Sequence, residues 1–224
     1  MPALVIIYLF TSTLYLVLLS QSPYPFQWLI KVIPISLLLL PAARILSRKL
    51  SVLLCGAVLA SGSGDIVLAL PIEHSFTFGL MSFFIAHCLY IGAFLHIKKS
   101  YNNPQQHPKE HHKLAIFPLL AITGFALIIG IIILPNTGSL LVPVAAYLFL
   151  ITGMGLSAFM LRMPALTQAG VVSFLLSDAA LAYNLFNGPV ANASVVVMST
   201  YYLAQLLIIY GVASTVPSRF TQRQ

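Results

Sequence analysis

Eight stretches of about 20 mostly apolar residues dominate this sequence, each long enough to cross the roughly 30 Å hydrocarbon layer of a membrane as a helix. They fall near residues 3–20, 26–46, 50–70, 76–97, 113–134, 139–162, 165–187 and 190–215. Pro23 and Pro25, Pro71, Pro135 to Gly138, Pro164 and Gly188-Pro189 punctuate the gaps between them. In lipid every backbone N–H and C=O needs an internal partner, so runs of this length fold as helices. Composition excludes an ordinary soluble domain, in which about 25% of residues are charged. Here 59% are hydrophobic and the acids are just Asp65, Glu73, Glu110 and Asp178. The expected fold is an all-α integral membrane protein, one domain over residues 1–224, built as a bundle of about eight transmembrane helices. The first apolar run lacks a basic start and an A-x-A-like exit, so it is expected to stay as a helix rather than be cleaved as a signal peptide.

With eight spans, the even-to-odd connections and both termini share one side. Those segments hold Arg44, Arg48, Lys49, Lys98, Lys99, Lys109, Lys113, Arg162, Arg219 and Arg223, ten of the eleven basic residues, and the odd-to-even connections hold none. The positive-inside rule predicts that both termini are cytoplasmic, in the inner membrane if the source is bacterial. The net charge of +7 is accounted for by this distribution, which points to lipid headgroups and not to nucleic acid as the partner. Lys31, the eleventh, lies inside the second span. Cys55 and Cys88 also fall within spans and read as small packing residues. In the longer connection KKSYNNPQQHPKEHHK, residues 98–113, His107, His111 and His112 have no Cys to complete a zinc site, and Glu110, the one acid, is adjacent to His111 and fits poorly, so a solvated loop is expected and no metal or other cofactor.

Two of the four acids stand inside spans. Inserting a carboxylate at the bilayer centre costs about 2.5 to 3.5 kcal/mol, and such residues mark sites or pathways. A lone polar residue such as Thr152 reads as a hydrogen-bonded strut; Asp65 and Asp178 together read as functional. Their surroundings also match: GDIVLAL and SDAALAY share a small residue, Asp, two apolar residues, Leu-Ala and a large side chain. The third and seventh spans hold equivalent places in two sets of four, consistent with two parallel four-helix repeats that bring the aspartates to one cavity.

At 1.5 Å rise per residue, Asp65, Asp178 and Lys31 lie roughly 8, 13 and 8 Å from the outer ends of their spans, so all three belong to the outer half of the membrane. His87, Tyr201, Tyr202 and Gln205 lie nearer the middle. His87 and Tyr90 are three apart, Tyr201 and Gln205 four apart, and Ser177 and Asn184 seven apart, so each pair shares a helix face. Around the aspartates, Lys31, Tyr90, Ser177, Asn184, Tyr201, Tyr202 and Gln205 are candidates for substrate binding, with His87 a candidate proton shuttle or water-positioning group. Gly56, Ala60 and Gly64 form a small-residue stripe that lets the third span approach a neighbour closely. No strand precedes these glycines, so they do not read as a phosphate-cradling loop.

Five blocks carry a resemblance: LIKVIPISLLLL, GSGDIVLALP, FFIAHCLYIGAF, LLSDAALAYNLF and YYLAQLLIIYG. In this order on eight spans, the chain resembles the YhhN family of membrane proteins, which includes the lysoplasmalogenases. The family often has Lys-Pro directly in the second span; here Val32 and Ile33 stand between Lys31 and Pro34. The resemblance implies a hydrolase of the vinyl ether bond of lysoplasmalogens, yielding a fatty aldehyde and glycerophosphoethanolamine or glycerophosphocholine. A vinyl ether is cleaved by protonating its β-carbon and capturing the resulting cation with water. Two neighbouring carboxylates, Asp65 and Asp178, can share one proton and supply both acid and base, as in glycosidases. Which of them is the acid stays open, and Lys31 either binds the substrate phosphate or pairs with an aspartate.

Two other classes fit part of the pattern. GSGD and the Pro164-Ala165-Leu166 triplet occur in intramembrane aspartyl proteases, but there the other aspartate precedes the Gly-x-Gly-Asp helix and Pro-Ala-Leu follows it, an order this chain does not have. A proton-coupled transporter or lipid-binding protein would also use membrane aspartates and parallel repeats. Aldehyde release against proton-dependent uptake separates it from the hydrolase.

Overall fold

The computed structural model describes residues 2–101 and 116–216. The described residues form helices and connecting turns with no strand: α1 (Pro2–Leu18), α2 (Gln27–Leu37), α3 (Leu39–Ala43), α4 (Arg48–Ala69), α5 (Ser75–Tyr101), α6 (Ile116–Ile133), α7 (Leu141–Met160), α8 (Ala165–Phe186) and α9 (Ala193–Ala213). Every predicted span has its helix, and seven of the apolar helices are long enough to cross a membrane. The protein is thus an all-α, multi-pass membrane protein. His107, Lys109, Glu110, His111, His112, Lys113, Arg219 and Arg223 lie outside the described residues.

The second span differs from expectation. It is the pair α2 and α3, an apolar stretch over Gln27–Ala43, shorter than the others and interrupted at Leu38. Proline explains the interruption. Pro41 has no N–H to give the carbonyl of Leu37, and the backbone N–H of Leu38 turns back to Ile35 O at 3.0 Å.

The outside of the bundle is apolar and the inside carries the polar groups, as lipid requires. Phe117 and Phe149 are more than 80% exposed on the lipid face. Half of the α9 span is buried inside the protein, against 11% of α6, so α9 is the central helix and α6 lies at the periphery. The most extensively packed helix pairs are α4 with α5 and α8 with α9. Small residues permit this approach. A Cβ on Gly64 would sit 2.7 Å from the Phe83 ring of α5, and one on Gly170 would sit 2.8 Å from the backbone nitrogen of Ile208 in α9.

Hydrogen bonds then fix the helices against each other. Tyr8 of α1 donates to Tyr202 O at 2.6 Å, and Tyr202 Oη donates to Lys31 O at 2.8 Å, tying α1, α9 and α2 in sequence. Ser173 and Ser177 of α8 donate to Thr200 O and Val197 O of α9, at 2.7 and 2.9 Å.

Candidate active site

Asp65 lies on α4, buried to 2% exposure, with both carboxylate oxygens engaged. Lys31 Nζ of α2 is 3.2 Å from Oδ1 and 3.3 Å from the backbone oxygen of the same residue. Tyr201 of α9 donates its phenol proton to Oδ2 at 2.7 Å. Lys31 is itself buried, so the two charges compensate each other away from water.

Asp178, on α8, is dressed differently. Tyr147 of α7 donates its hydroxyl proton to Oδ2, and His87 of α5 has Nε2 3.8 Å from that same oxygen. His87 Nε2 also lies 2.8 Å from Tyr147 Oη. Among the described residues Oδ1 of Asp178 takes no hydrogen bond, and the side chain keeps 18% exposure. Tyr147 has no special mark in the sequence: it is one aromatic in an apolar helix, without the charge that singles out Lys31 at the corresponding place.

The partners of the two aspartates correspond. Counting α2–α3 as one span, α4 and α8 are third in their halves of the chain. Each aspartate is met by the second helix of its own half, through Lys31 or Tyr147, and by the fourth helix of the other half, through Tyr201 or His87. Exchanging the halves exchanges the two sets of contacts. The fourth helices also meet each other, through Tyr90 Oη donating to Gln205 Oε1.

Two cavities meet at Asp178. One is a cleft among α4 to α8 whose wall is apolar except for Tyr147 and Asp178. The other is a chamber among α1, α2, α4, α5, α8 and α9, lined by Ser22, Gln27, Lys31, Asp65, Asn184, Tyr201 and other residues. Leu68, Phe76, Phe83 and Leu181 form parts of both walls, and among the described residues Asp178 is the one polar side chain that does. Asp178 thus stands where an apolar wall meets one that carries polar groups.

Of the residues singled out from sequence, Lys31, Asp65, Ser177, Asp178, Asn184 and Tyr201 line the polar chamber. Asn184 Oδ1 also accepts from the backbone N–H of Val190 at 2.9 Å, bracing the turn after α8, and Ser177 donates to Val197 O, tying the middle of α8 to α9. His87, Tyr90, Tyr202 and Gln205 stand behind the walls and act on other side chains or backbone. Among the described residues no cluster of His, Cys, Asp and Glu could hold a metal ion.

Comparison with known proteins places this geometry in context. The YhhN family matches residues 26–212. The chain is 31% identical to Lysoplasmalogenase TMEM86B of Sus scrofa over 222 residues, covering 93% of this chain and 85% of the pig protein. It is 34% identical to Lysoplasmalogenase TMEM86B of Homo sapiens over 161 residues, 70% of this chain and 61% of that protein. The Lysoplasmalogenase of Mycobacterium bovis is 28% identical over 159 residues, 69% of this chain and 58% of its own length. No solved structure gives a significant match.

Proposed function

The chain belongs to the YhhN family, and from that membership we propose that it hydrolyses the vinyl ether bond of lysoplasmalogens, releasing a fatty aldehyde and a glycerophosphoethanolamine or glycerophosphocholine. The observation that carries the reading to this chain is the meeting of the two cavities at Asp178. A lysoplasmalogen has a single alkenyl chain and a hydrated glycerophosphate head, and its vinyl ether lies where the two join. With the chain in the apolar cleft and the head in the polar chamber, that bond comes to the carboxyl group.

The chemistry needs a proton delivered to carbon and a base for water. Protonation of the β-carbon forms a C–H bond from the alkene π pair and leaves an oxocarbenium ion. Water adds to the α-carbon and loses a proton, giving a hemiacetal, which collapses to aldehyde while the glycerol oxygen takes a proton. Asp65 and Asp178 are the carboxylates at the site, one to move protons and both to act on developing charge where burial limits screening by water. A carboxylate beside the cation stabilises it as in glycosidases. No redox partner enters the balance.

The distribution of basic residues supports an orientation with both termini in the cytoplasm, so the polar chamber opens in the outer half of the membrane. Arg44, Arg48, Lys49, Lys98, Lys99 and Arg162 all lie at or near the same alternate ends of the helices. The test is direct: purified protein is incubated with a 1-alkenyl lysophospholipid in D2O, and the aldehyde is analysed by mass spectrometry. One deuterium on the carbon next to the carbonyl is expected. Uptake of the lipid into vesicles without aldehyde would overturn the reading in favour of transport.

A further inference from the structure

Equivalent positions in the two halves carry two aspartates with unlike surroundings. Resting on the vinyl ether reading above, we propose that Asp178 alone moves the catalytic proton through Oδ1, that Tyr147 is its positioning residue, and that Asp65 stays a fixed anion paired with Lys31. The argument is one of free valence. A carboxyl group that protonates carbon must bring an uncommitted oxygen to the substrate. Both oxygens of Asp65 are occupied, Oδ1 by the Lys31 ammonium and Oδ2 by the Tyr201 phenol, and the group is sealed at 2% exposure. On Asp178 the phenol and the imidazole both gather at Oδ2. Oδ1 takes no hydrogen bond among the described residues, and the Asp178 side chain lines both cavities.

The hydrogen bonds behind Asp178 have a direction. A phenol has one proton; since Tyr147 gives it to Asp178, its oxygen accepts from His87 Nε2–H. That tautomer leaves Nδ1 of His87 as a lone pair, and Nδ1 is buried without a partner. His87 thus orients Tyr147, and Tyr147 holds Oδ2, which leaves Oδ1 as the oxygen through which Asp178 can pass a proton. As it passes to the β-carbon, the new carboxylate faces the oxocarbenium ion it has made. The same carboxylate takes the proton of the attacking water, and Asp178 is restored for the next turnover. Asp65 and Lys31 contribute a fixed field and hold α2 against α4.

Chemical rescue tests the assignment. Asp178→Gly and Asp65→Gly are purified in detergent, checked for a cooperative melt, and assayed for aldehyde over a formate series. Formate should raise the rate of Asp178→Gly by about tenfold or more and leave Asp65→Gly unmoved, because a small acid can replace a proton donor but not a paired anion. Rescue at position 65, or at neither position, overturns the proposal. Tyr147→Phe keeps the ring and covers the case of a glycine variant that does not fold. Its kcat should fall about 100-fold with KM within about twofold, and its pH-rate profile should move. An unchanged kcat and profile would remove Tyr147 from the mechanism. Wild-type protein that releases no aldehyde from the lipid removes the substrate reading itself, and this assignment with it.

Discussion

Lys31 on α2 and Asp65 on α4 form an ion pair of 3.2 Å inside the membrane, and the ammonium also reaches the backbone oxygen of Asp65 at 3.3 Å. Gly62 eases the approach of α2 to α4: a Cβ there would come within 3.2 Å of the Val32 side chain, which would have to shift by a few tenths of an ångström. An ammonium committed to a carboxylate in this way has little left for a substrate phosphate. Of the two roles open to Lys31 from sequence, the geometry favours pairing with an aspartate.

Asp65→Asn and Asp178→Asn should each reduce aldehyde release to background while the protein still elutes as a folded species in detergent. Asn is nearly isosteric, so packing is spared and the charge or the proton is lost. Near-wild-type turnover in either variant would show that one carboxylate suffices without the other.

Lys31→Met should lower kcat more than it raises KM, and should lower the melting temperature. Removing one member of a buried pair leaves the other charge uncompensated, which costs about 3 to 5 kcal/mol. Adding Asp65→Asn to that variant should recover a large part of the stability. A melting temperature that stays low in the double variant would mean that the loss came from packing of the lysine stem.

Gly170→Val should destabilise the bundle by about 1 to 3 kcal/mol, because its Cβ meets backbone on α9 and no side chain can step aside. The separation of α8 from α9 would also stretch the Ser173 and Ser177 hydrogen bonds. Thermal unfolding in detergent is the measurement. A variant as stable as wild type would show that α9 shifts without cost.

Ala182→Phe, in the wall of the apolar cleft, should change which chains are accepted. The added ring takes space from the alkenyl chain, and each methylene that loses its contacts forfeits about 0.8 kcal/mol. KM for a 16-carbon alkenyl lipid should rise while that for an 8-carbon analogue stays close to wild type. An equal change for both lengths would place the chain elsewhere.

Cysteine labelling reads the orientation. In a Cys55→Ala/Cys88→Ala background, Lys99→Cys should react with a membrane-impermeant thiol reagent from the cytoplasmic side alone, and Glu73→Cys from outside alone. Both positions are exposed at helix ends. The opposite pattern would invert the topology and place the polar chamber towards the cytoplasm.

The sequence by itself determined the helices, because an apolar run of membrane length has one way to satisfy its backbone in lipid. It also marked Asp65 and Asp178, since a carboxylate is costly there and stands out against so few acids. The family blocks were legible for the same reason: rare polar residues in long apolar runs form a recognisable pattern. Tertiary structure alone decided how the aspartates differ. Helical spacing says which side chains share a face of one helix, but rotation about the axis and the crossing of neighbours decide which faces meet. Thus Tyr147 sits 31 residues before Asp178, close to the 34 that separate Lys31 from Asp65, yet one position presents a cation and the other a phenol. His87, Tyr90, Tyr202 and Gln205 look alike in sequence as polar residues near mid-membrane. Packing turns them towards other helices, behind the cavity walls, and leaves Asp178, with one oxygen free of hydrogen bonds among the described residues, in the wall of both cavities.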